Sequence, residues 1–351
     1  MSNLYPPGTP LGPFTIERAI SQQGKMAIVY EVSVGDITHP SELGRRLALK
    51  IARIEERILK KNVEIGMLYE DALLKEVRLL RQLHHPNVVR VFPVASNGRR
   101  VYWRKRGKTA YDTHESWYFA MELLSDSTLS AVYTPRENQS FVPFPLPWKV
   151  ELIYQIAQTL DYLHMRGLAH RDLKPSNIIF RTPPDSRQMP TPVLVDFGIS
   201  DKRSLRRKVS DADNNNREIM MGTVPYAPPE WIERRRHSGS TSVVSDSVAP
   251  SVDNLKYDMW SLGIISYMLI TDGRHPFGDY TGTRIEEFEE RILRNRRQPF
   301  PPEIAQDYQV LCDMVYMMLE PDPNKRLTIE GAINWINDKV SNCSPLAPPR
   351  V

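Results

Sequence analysis

The spacing of hydrophobic and polar positions changes roughly a third of the way along the chain. Before that point, short apolar runs and alternating positions predict strands at Phe14–Ile20, Val29–Val34 and Leu47–Ile51. From Glu70 to Leu83 the apolar residues recur at helical intervals, which is typical of an amphipathic helix. The first part of the chain is therefore predicted to form a small sheet with one helix.

Helical spacing dominates the rest of the chain. One predicted helix starts at Pro147 and stops before Gly167, and both residues are ordinary boundary signals. Its apolar positions are Leu152, Ile153, Ile156, Leu160 and Leu163. Further helices are predicted at Lys256–Thr271 and Tyr308–Leu319. A sheet-rich part followed by a larger helical part places the fold in the α+β class.

The composition is that of an ordinary globular protein. The 351 residues suffice for one large two-lobed domain or two small ones, with 41% hydrophobic and 25% charged residues. The formal net charge of +4 is too weak to indicate a nucleic-acid-binding protein. We therefore expect no specific nucleic-acid partner.

Cysteine content and hydropathy bear on the cellular location. The two cysteines, Cys312 and Cys343, form neither a metal-ligand spacing nor a disulfide framework, which favours a reducing, cytoplasmic environment. The N-terminal residues lack the basic and apolar regions of a signal peptide. The longest apolar stretch, Gly263–Ile270, is far too short to cross a bilayer, so no membrane segment is expected.

Four stretches have the composition of surface insertions. They are Gly98–Ser116, Arg181–Pro192, Lys202–Arg217 and Arg234–Val252. The first reads GRRVYWRKRGKTAYDTHES and is both basic and aromatic, a composition that permits RNA contact. A long hairpin with a charged rim is the favoured interpretation of this stretch.

Two motifs carry the chemistry of the chain. Residues 169–180, AHRDLKPSNIIF, resemble the catalytic loop of eukaryotic-type (Hanks-type) protein kinases, and residues 193–198, VLVDFG, resemble the metal-binding motif of that family. The resemblance covers roughly residues 14–338. It implies a bilobal fold with a small β-rich lobe at 14–124 and a larger α-helical lobe at 125–340. A leader at 1–13 and a tail at 341–351 would flank these lobes.

The resemblance implies transfer of the γ-phosphoryl group of ATP to a Ser or Thr hydroxyl of a protein. Asp172 would accept the proton of the hydroxyl, and Lys174 would neutralise charge on the phosphoryl group. Asn177 and Asp196 would hold Mg²⁺, which prefers oxygen ligands. A lysine two residues after the aspartate is the serine/threonine form of the motif.

Lys50 and Glu76 are predicted to form a buried ion pair. Lys50 lies in the apolar strand RLALKIA, where a lysine needs an anion to offset its burial. Glu76 shares the apolar face of the predicted helix with Leu80 and Leu83, whereas Glu70 falls off that register. By the resemblance, Lys50 would contact the α- and β-phosphates of ATP.

Residues 20–30, ISQQGKMAIVY, align with the glycine-rich loop of the family. Gly24 takes the place of the second glycine, while Gln22 and Ala27 replace the first and third. Because the first glycine often needs a positive φ, we expect a looser lid and weaker ATP affinity. The segment GKMAIVY also resembles bacterial members of the family.

Residues 119–124, FAMELL, resemble the hinge that binds adenine. Met121 would be the gatekeeper, and the backbone carbonyl of Glu122 and N–H of Leu124 would contact the base. The apolar residues above and below the ring would be Val29, Ala48 and Ile179.

Residues 222–231, GTVPYAPPEW, resemble the end of the activation segment, with P-P-E where the family commonly has A-P-E. The resemblance implies that Glu230 pairs with Arg326 and that Asp258 supports the catalytic loop. It also places Thr223 near Asp172 and Lys174.

Regulation by phosphorylation is expected because Arg171 precedes Asp172, a feature typical of kinases switched in this way. Ser210 follows the basic string Arg206, Arg207 and Lys208 and resembles a basophilic phosphorylation site. Ser204 and Thr223 are the other candidates, and autophosphorylation is one route to them.

Two other classes of function remain open. A pseudokinase scaffold would bind nucleotide without turnover; the altered glycine loop favours it and the complete catalytic set argues against it. A small-molecule kinase is disfavoured by the L-K-P and P-P-E segments, which build a peptide-binding surface in protein kinases. The expected partners are protein substrates with Ser or Thr acceptors, and no oligomeric state is indicated.

Overall fold

The computed structural model describes most of the chain in ten stretches. These are residues 5–21, 27–34, 46–52, 63–96, 99–106, 116–133, 143–184, 188–197, 224–237 and 252–340. The chain divides into two compact units, Met1–Asp126 with Val195–Asn216, and Ser127–Leu194 with Arg217–Val351. The described part of the first unit is rich in strands and that of the second is mostly helical, which agrees with the predicted α+β class.

The first unit is built on an antiparallel sheet. Its strands are Pro10–Leu11 (β1), Phe14–Ser21 (β2), Ala27–Val34 (β3), Arg46–Ala52 (β4), Val91–Phe92 (β5), Val94–Ser96 (β6), Arg99–Val101 (β7), Arg104–Arg106 (β8) and Ser116–Met121 (β9). Their order in the sheet is β1-β2-β3-β4-β9-β5, with β8 also on β9, while β6 and β7 form a separate pair. The three strands predicted from alternation lie inside β2, β3 and β4.

One face of this sheet carries the core of the first unit. Alternate residues of β2 and β3 point into it, so Ile16 and Val32 are fully buried and face each other across the ladder. Leu49 of β4 joins the same cluster. The central position of β4 between β3 and β9 fixes Lys50 opposite Val29 on one side and Phe119 on the other.

The helix of the first unit, Val63–Leu80 (α1), begins earlier and ends earlier than the predicted span. The N–H of Leu83 bonds to the carbonyl of Leu80, so the last predicted residues form a turn instead of helix. The buried positions recur at helical intervals and are Ala72, Leu73, Glu76, Val77 and Leu80. This face packs against β4 and β9.

The second unit is helical. Its helices are Leu129–Tyr133 (α2), Leu146–His164 (α3), Pro229–His237 (α4), Val252–Ile270 (α5), Ile285–Leu293 (α6), Pro302–Asp307 (α7), Gln309–Met318 (α8) and Ile329–Trp335 (α9). A π-helical turn, Ile336–Val340, follows α9. The three helices predicted in this part of the chain correspond to α3, α5 and α8.

Helix α5 is the centre of the second unit. Every residue from 257 to 270 is buried, as expected for a helix that is apolar on all sides. It packs against α3 and α8. Gly263 allows the close approach to α8, because a Cβ at this position would lie 2.9 Å from side-chain atoms of Met318 and Leu319.

Two short strands, Ile178–Phe180 (β10) and Pro192–Leu194 (β11), also belong to the second unit. They pair antiparallel with Ile179 opposite Val193. Each adjoins one of the two motif loops, β10 after residues 169–177 and β11 before Asp196.

The structure describes only parts of the predicted insertions. Arg99–Val101 and Arg104–Arg106 form β7 and β8, and the segment 234–237 ends α4. The stretch 202–217 lies outside the described residues. Within the described part of the chain, no helix is both long enough and apolar enough to cross a membrane.

Substitution of Gly263 tests the close packing of α5 against α8. We expect Gly263→Val to lower the free energy of unfolding by about 1–3 kcal/mol through overpacking. Gly263→Ala should cost less, because its single methyl group gains helix propensity while meeting the same neighbours. Urea denaturation checks the series, and equal stability of wild type and Gly263→Val would contradict the close approach.

Candidate active site

Lys50 and Glu76 meet in the interior of the first unit. Strand β4 carries Lys50 and helix α1 carries Glu76, and Lys50 Nζ donates to the two carboxylate oxygens at 2.7 and 2.6 Å. Lys50 is 9% exposed and Glu76 is 3% exposed. Two opposite charges so deeply buried stabilise each other only because the contact is direct and charge-assisted.

A second carboxylate reaches the same ammonium. Asp196, in the stretch 195–216 that belongs to the first unit, accepts from Lys50 Nζ at 3.0 Å. Its side chain is 44% exposed, so the carboxylate is partly open to solvent. The backbone of Asp196 has φ 66°, in the left-handed region that a residue with a Cβ adopts at an energetic cost. A backbone held there against this cost indicates a functional constraint.

The charge state of Lys50 follows from its surroundings. Burial alone would lower the pKa of Lys50, but the carboxylates of Asp196 and Glu76 outweigh that effect and raise the pKa above its usual value. The ammonium therefore stays charged at neutral pH. The backbone of Phe197 also hydrogen-bonds to Glu76, so the carboxylate is fixed from a second direction.

Asp172, Lys174 and Asn177 form one cluster in the second unit. The carboxylate of Asp172 accepts from Lys174 Nζ at 2.8 Å and from Asn177 Nδ2 at 3.2 Å. Asn177 Nδ2 also donates to the backbone carbonyl of Asp172 at 2.8 Å. Asn177 lies in the helical turn Pro175–Asn177, just before β10, which sets its direction. The loop therefore presents a carboxylate, an ammonium and an amide within hydrogen-bond reach of one another.

A buried carboxylate holds the backbone of this loop. Asp258, on α5, is fully buried and accepts from the backbone N–H groups of His170 and Arg171 at 2.8 and 2.7 Å. His164 Nε2 lies 2.9 Å from the same carboxylate. Arg171 has φ 63°, so these bonds offset a left-handed backbone next to Asp172. This contact confirms the supporting role predicted for Asp258.

The predicted pair of Glu230 and Arg326 is also confirmed. Arg326 Nη1 and Nη2 donate to the two carboxylate oxygens of Glu230 at 2.8 and 2.9 Å. The remaining N–H groups of Arg326 donate to backbone carbonyls of Lys256, Glu320 and Pro321. All five donors of a fully buried guanidinium are thus used, and α4 is fixed to the segment before α9.

The predicted adenine-binding residues are placed as follows. Ala27 and Ala48 are buried, Val29 is half-buried, and Ala48 pairs with Met121 in the ladder. Glu122 is fixed by Arg90, because its N–H donates to the Arg90 carbonyl and its carboxylate accepts from the Arg90 N–H, each at 2.9 Å. Leu124 is half-buried in the first unit, and Ile179 is half-buried in β10 of the second.

Several predicted residues lie outside the described part of the chain. These are Gln22, Gly24, Ser204, Ser210 and Thr223. Their predicted roles in the phosphate loop and in regulation therefore stay predictions.

Sequence analysis did not single out His275, which fixes the segment at residues 224–226. The ring is buried, Nε2–H donates to the Pro225 carbonyl at 2.9 Å, and Nδ1 accepts from the Phe277 N–H. Burial lowers the pKa of His275 to about 4, against the opposing effects of the Pro225 bond and nearby Asp279. In the sequence, His275 comes just after the central helix, between Gly273 and the dipeptide Pro276-Phe277. This pattern is the signal that could have marked it as a structural residue.

A protein kinase domain family model matches residues 23–335. This chain belongs to that family. The Aurora kinase of Patiria pectinifera is 25% identical over 344 residues, which cover 95% of this kinase chain and 70% of the relative. The probable serine/threonine-protein kinase fhkC of Dictyostelium discoideum is 27% identical over 297 residues, which cover 84% of this chain and 40% of the relative. The chain thus spans well under two thirds of some of its curated relatives.

Solved structures show the fold of this kinase domain. A crystal structure of Rad53 in complex with AMP-PNP has a TM-score of 0.59 at 24% identity and covers 92% of this chain and 65% of that one. A second Rad53 structure, of the kinase domain and SCD2, has a TM-score of 0.57 at 20% identity and covers 92% and 88%. These likenesses confirm the bilobal protein kinase fold, with a small β-rich lobe and a larger helical lobe.

Removing one partner of the Glu230–Arg326 pair should strongly destabilise the kinase domain. We expect Glu230→Gln to lower the free energy of unfolding by about 3–5 kcal/mol, because it leaves a buried guanidinium charge without its counter-charge. The exposed carboxylate of Glu290, which pairs with Arg236 and Arg294, provides a matched control, and Glu290→Gln should cost far less. Equal effects of the two substitutions in urea denaturation would show that burial of the Glu230–Arg326 pair does not matter for stability.

His275 should make the stability of the kinase domain fall in mild acid. The folded state binds a proton on His275 only near pH 4, whereas an unfolded histidine titrates near about 6.5. Its contribution is therefore complete above about pH 6.5 and is lost by about 1.4 kcal/mol per pH unit as the pH falls towards the folded value.

Urea denaturation between about pH 7 and about pH 5 checks this dependence. His275→Gln keeps an N–H donor for Pro225 but does not titrate. The free energy of unfolding of this variant should therefore change less with pH, by about 1.4 kcal/mol per pH unit, which corresponds to one proton. Identical slopes for wild type and His275→Gln would show that His275 is protonated in the folded state.

Proposed function

We propose that this kinase domain is an active serine/threonine protein kinase. It transfers the γ-phosphoryl group of ATP, in the presence of Mg²⁺, to Ser or Thr hydroxyls of a protein substrate. The observation that carries the proposal is the Asp172–Lys174–Asn177 cluster, because a carboxylate held by an ammonium and an amide is suited to a proton transfer beside developing phosphoryl charge.

Each residue of the cluster has a distinct role. Asp172 accepts the proton of the substrate hydroxyl as the hydroxyl oxygen attacks the γ-phosphorus and ADP leaves. Lys174 stabilises the negative charge that spreads over the transferring phosphoryl oxygens. Its 2.8 Å contact with Asp172 also orients that carboxylate for the proton transfer.

The two residues expected to hold Mg²⁺ each offer an oxygen ligand in their own unit. The amide nitrogen of Asn177 is used in both of its hydrogen bonds to Asp172, which leaves its amide oxygen as the group that can face a cation. Asp196 supplies a partly exposed carboxylate from the first unit. Mg²⁺ favours one or two such oxygen ligands together with phosphate oxygens, and when bound it neutralises phosphate charge.

Lys50 would bind the phosphates of ATP. Its ammonium is charged and is already oriented by Glu76 and Asp196, so little reorganisation is needed when an anionic phosphate arrives. Gln22, which replaces the first glycine of the phosphate loop, is expected to weaken ATP affinity without removing a charged ligand, whereas Ala27 should cost little.

The serine/threonine preference rests on Lys174 and on the relatives. Lys174 stands two residues after Asp172, in the serine/threonine form of the loop. The fhkC relative is named a probable serine/threonine-protein kinase. Autophosphorylation at Ser210 or Thr223, and a cytoplasmic location on the strength of the cysteine content, belong to the same proposal.

Incorporation of labelled phosphate from Mg·ATP into a generic protein acceptor tests the proposal. Asp172→Ala should lower kcat by about 10²–10⁴-fold through loss of the proton acceptor. Lys50→Met should also abolish most incorporation. Asp307→Ala and Lys325→Met, which remove the same side chains at exposed positions, should keep wild-type activity.

The same experiment separates the pseudokinase alternative, which the replacement of a loop glycine by Gln22 favours. No label in wild type, together with a thermal shift on ATP addition, would establish nucleotide binding without turnover. Full activity of Asp172→Ala would instead contradict the role assigned to that carboxylate.

A further inference from the structure

An aromatic pair in the basic insertion stands at the junction of two strand ladders in the first unit. Tyr102 and Trp103 join β7 to β8. On one side, β7 pairs with β6, with Val101 opposite Val94. On the other side, β8 pairs with β9, with Arg104 opposite Tyr118. Backbone pairing on both sides therefore fixes where the two rings lie.

The two rings stack on arginines at the C-terminal end of α1 and in the turn that follows it. The guanidinium of Arg78 is stacked 5.5 Å from the ring centroid of Trp103, and that of Arg81 is 5.1 Å from the ring centroid of Tyr102. Both aromatic residues are half-buried. These are cation–π contacts, so both aromatic rings of the insertion already bind arginines of the same chain.

Arg78 and Glu76 lie on opposite sides of α1. At about 100° per residue, Arg78 is about 200° around the helix from Glu76, and Arg81 is the first residue of the turn that follows α1. Glu76 faces Lys50 on the buried side, whereas both arginines are exposed. Lys50 thus contacts the buried side of α1, while the aromatic pair contacts the opposite side and the turn at its end.

Strand β9 of the same sheet links Lys50 to the aromatic pair. Tyr118 of β9 is opposite Ile51, the neighbour of Lys50, and is also opposite Arg104, the neighbour of Trp103. A side-chain hydrogen bond between Arg104 and Tyr118 strengthens the second connection. The separation between the Lys50 strand and the aromatic pair is therefore set by backbone pairing.

We propose that Tyr102 and Trp103 are positioning residues that hold α1 where Glu76 reaches Lys50. The proposal rests on the proposed kinase function, in which the Lys50 ammonium binds phosphate. Without the rings, α1 can move outward from the sheet and separate Glu76 from Lys50, while Lys50 keeps its contact with Asp196. The catalytic geometry would suffer even though the fold remains intact.

Kinetics of the double variant Tyr102→Ala/Trp103→Ala test the proposal. We expect kcat/KM for ATP to fall about tenfold, the size expected when two exposed cation–π interactions are removed together. Tyr102→Phe/Trp103→Phe keeps both ring faces and should return activity to within about twofold of wild type.

Trp335→Ala is the matched control, because it also removes an aromatic ring that stacks on a cation, Lys339, but at the end of α9. It should lower the melting temperature and leave kcat/KM for ATP unchanged. Equal activity of the double alanine variant and Trp335→Ala would show a merely structural role and overturn the proposal.

A double-mutant cycle with Glu76→Gln tests whether the rings act through Glu76. Once Glu76 is neutral, removing the rings should have no further effect on kcat/KM beyond about twofold, because coupled residues are not additive. A second tenfold loss on that background would show that the rings act by another route.

Hydrogen exchange keeps the proposal testable if wild type has no turnover. The amides of α1 should exchange about tenfold faster in the double alanine variant than in wild type, with the α5 amides unchanged. Unchanged exchange of α1 would overturn the positioning role. Absence of turnover in wild type with faster α1 exchange in the variant would count against the proposed function alone.

Discussion

The candidate chemistry of the first unit depends on the contact between the buried ammonium of Lys50 and two carboxylates. Strand β4 supplies the lysine, α1 supplies Glu76, and the chain after β11 supplies Asp196. Taking these charges out of water costs several kcal/mol, and only direct pairing offsets that cost. The positions of β4, α1 and the chain after β11 are therefore constrained by this one ion cluster. In the proposal above, the aromatic pair further constrains the position of α1.

The second unit also contains buried charged side chains, and there they hydrogen-bond to the backbone and fix its position. Asp258 binds the N–H groups around the left-handed Arg171, and Arg326 uses all of its donors on Glu230 and three carbonyls. His275 fixes the carbonyl of Pro225 while remaining neutral. These contacts fix the catalytic loop to α5 and residues 224–226 to the segment that follows α5, so both segments are held in place before any ligand binds.

The sequence predicts features that depend on local periodicity. The three strands, the helices α3, α5 and α8, and the α+β class follow from spacing alone, and the apolar face of α1 predicts that Glu76 needs a cation. The motif roles came from family resemblance. His275 and the Tyr102–Trp103 pair were missed because their partners lie far away in sequence, where spacing carries no information. The early start of α1 was missed because its first two turns do not show the clear apolar stripe of the later ones.

In the proposed function, Glu76 makes Lys50 competent for phosphoryl transfer from ATP. The most direct measurement is kcat with a peptide acceptor for wild type, Lys50→Met, Glu76→Gln and the double variant. We expect that wild type turns over, that each single variant loses activity, and that the double variant is no worse than Lys50→Met, because coupled residues lose their function together. Losses that multiply in the double variant would show that the two residues act independently, against the role assigned to Glu76.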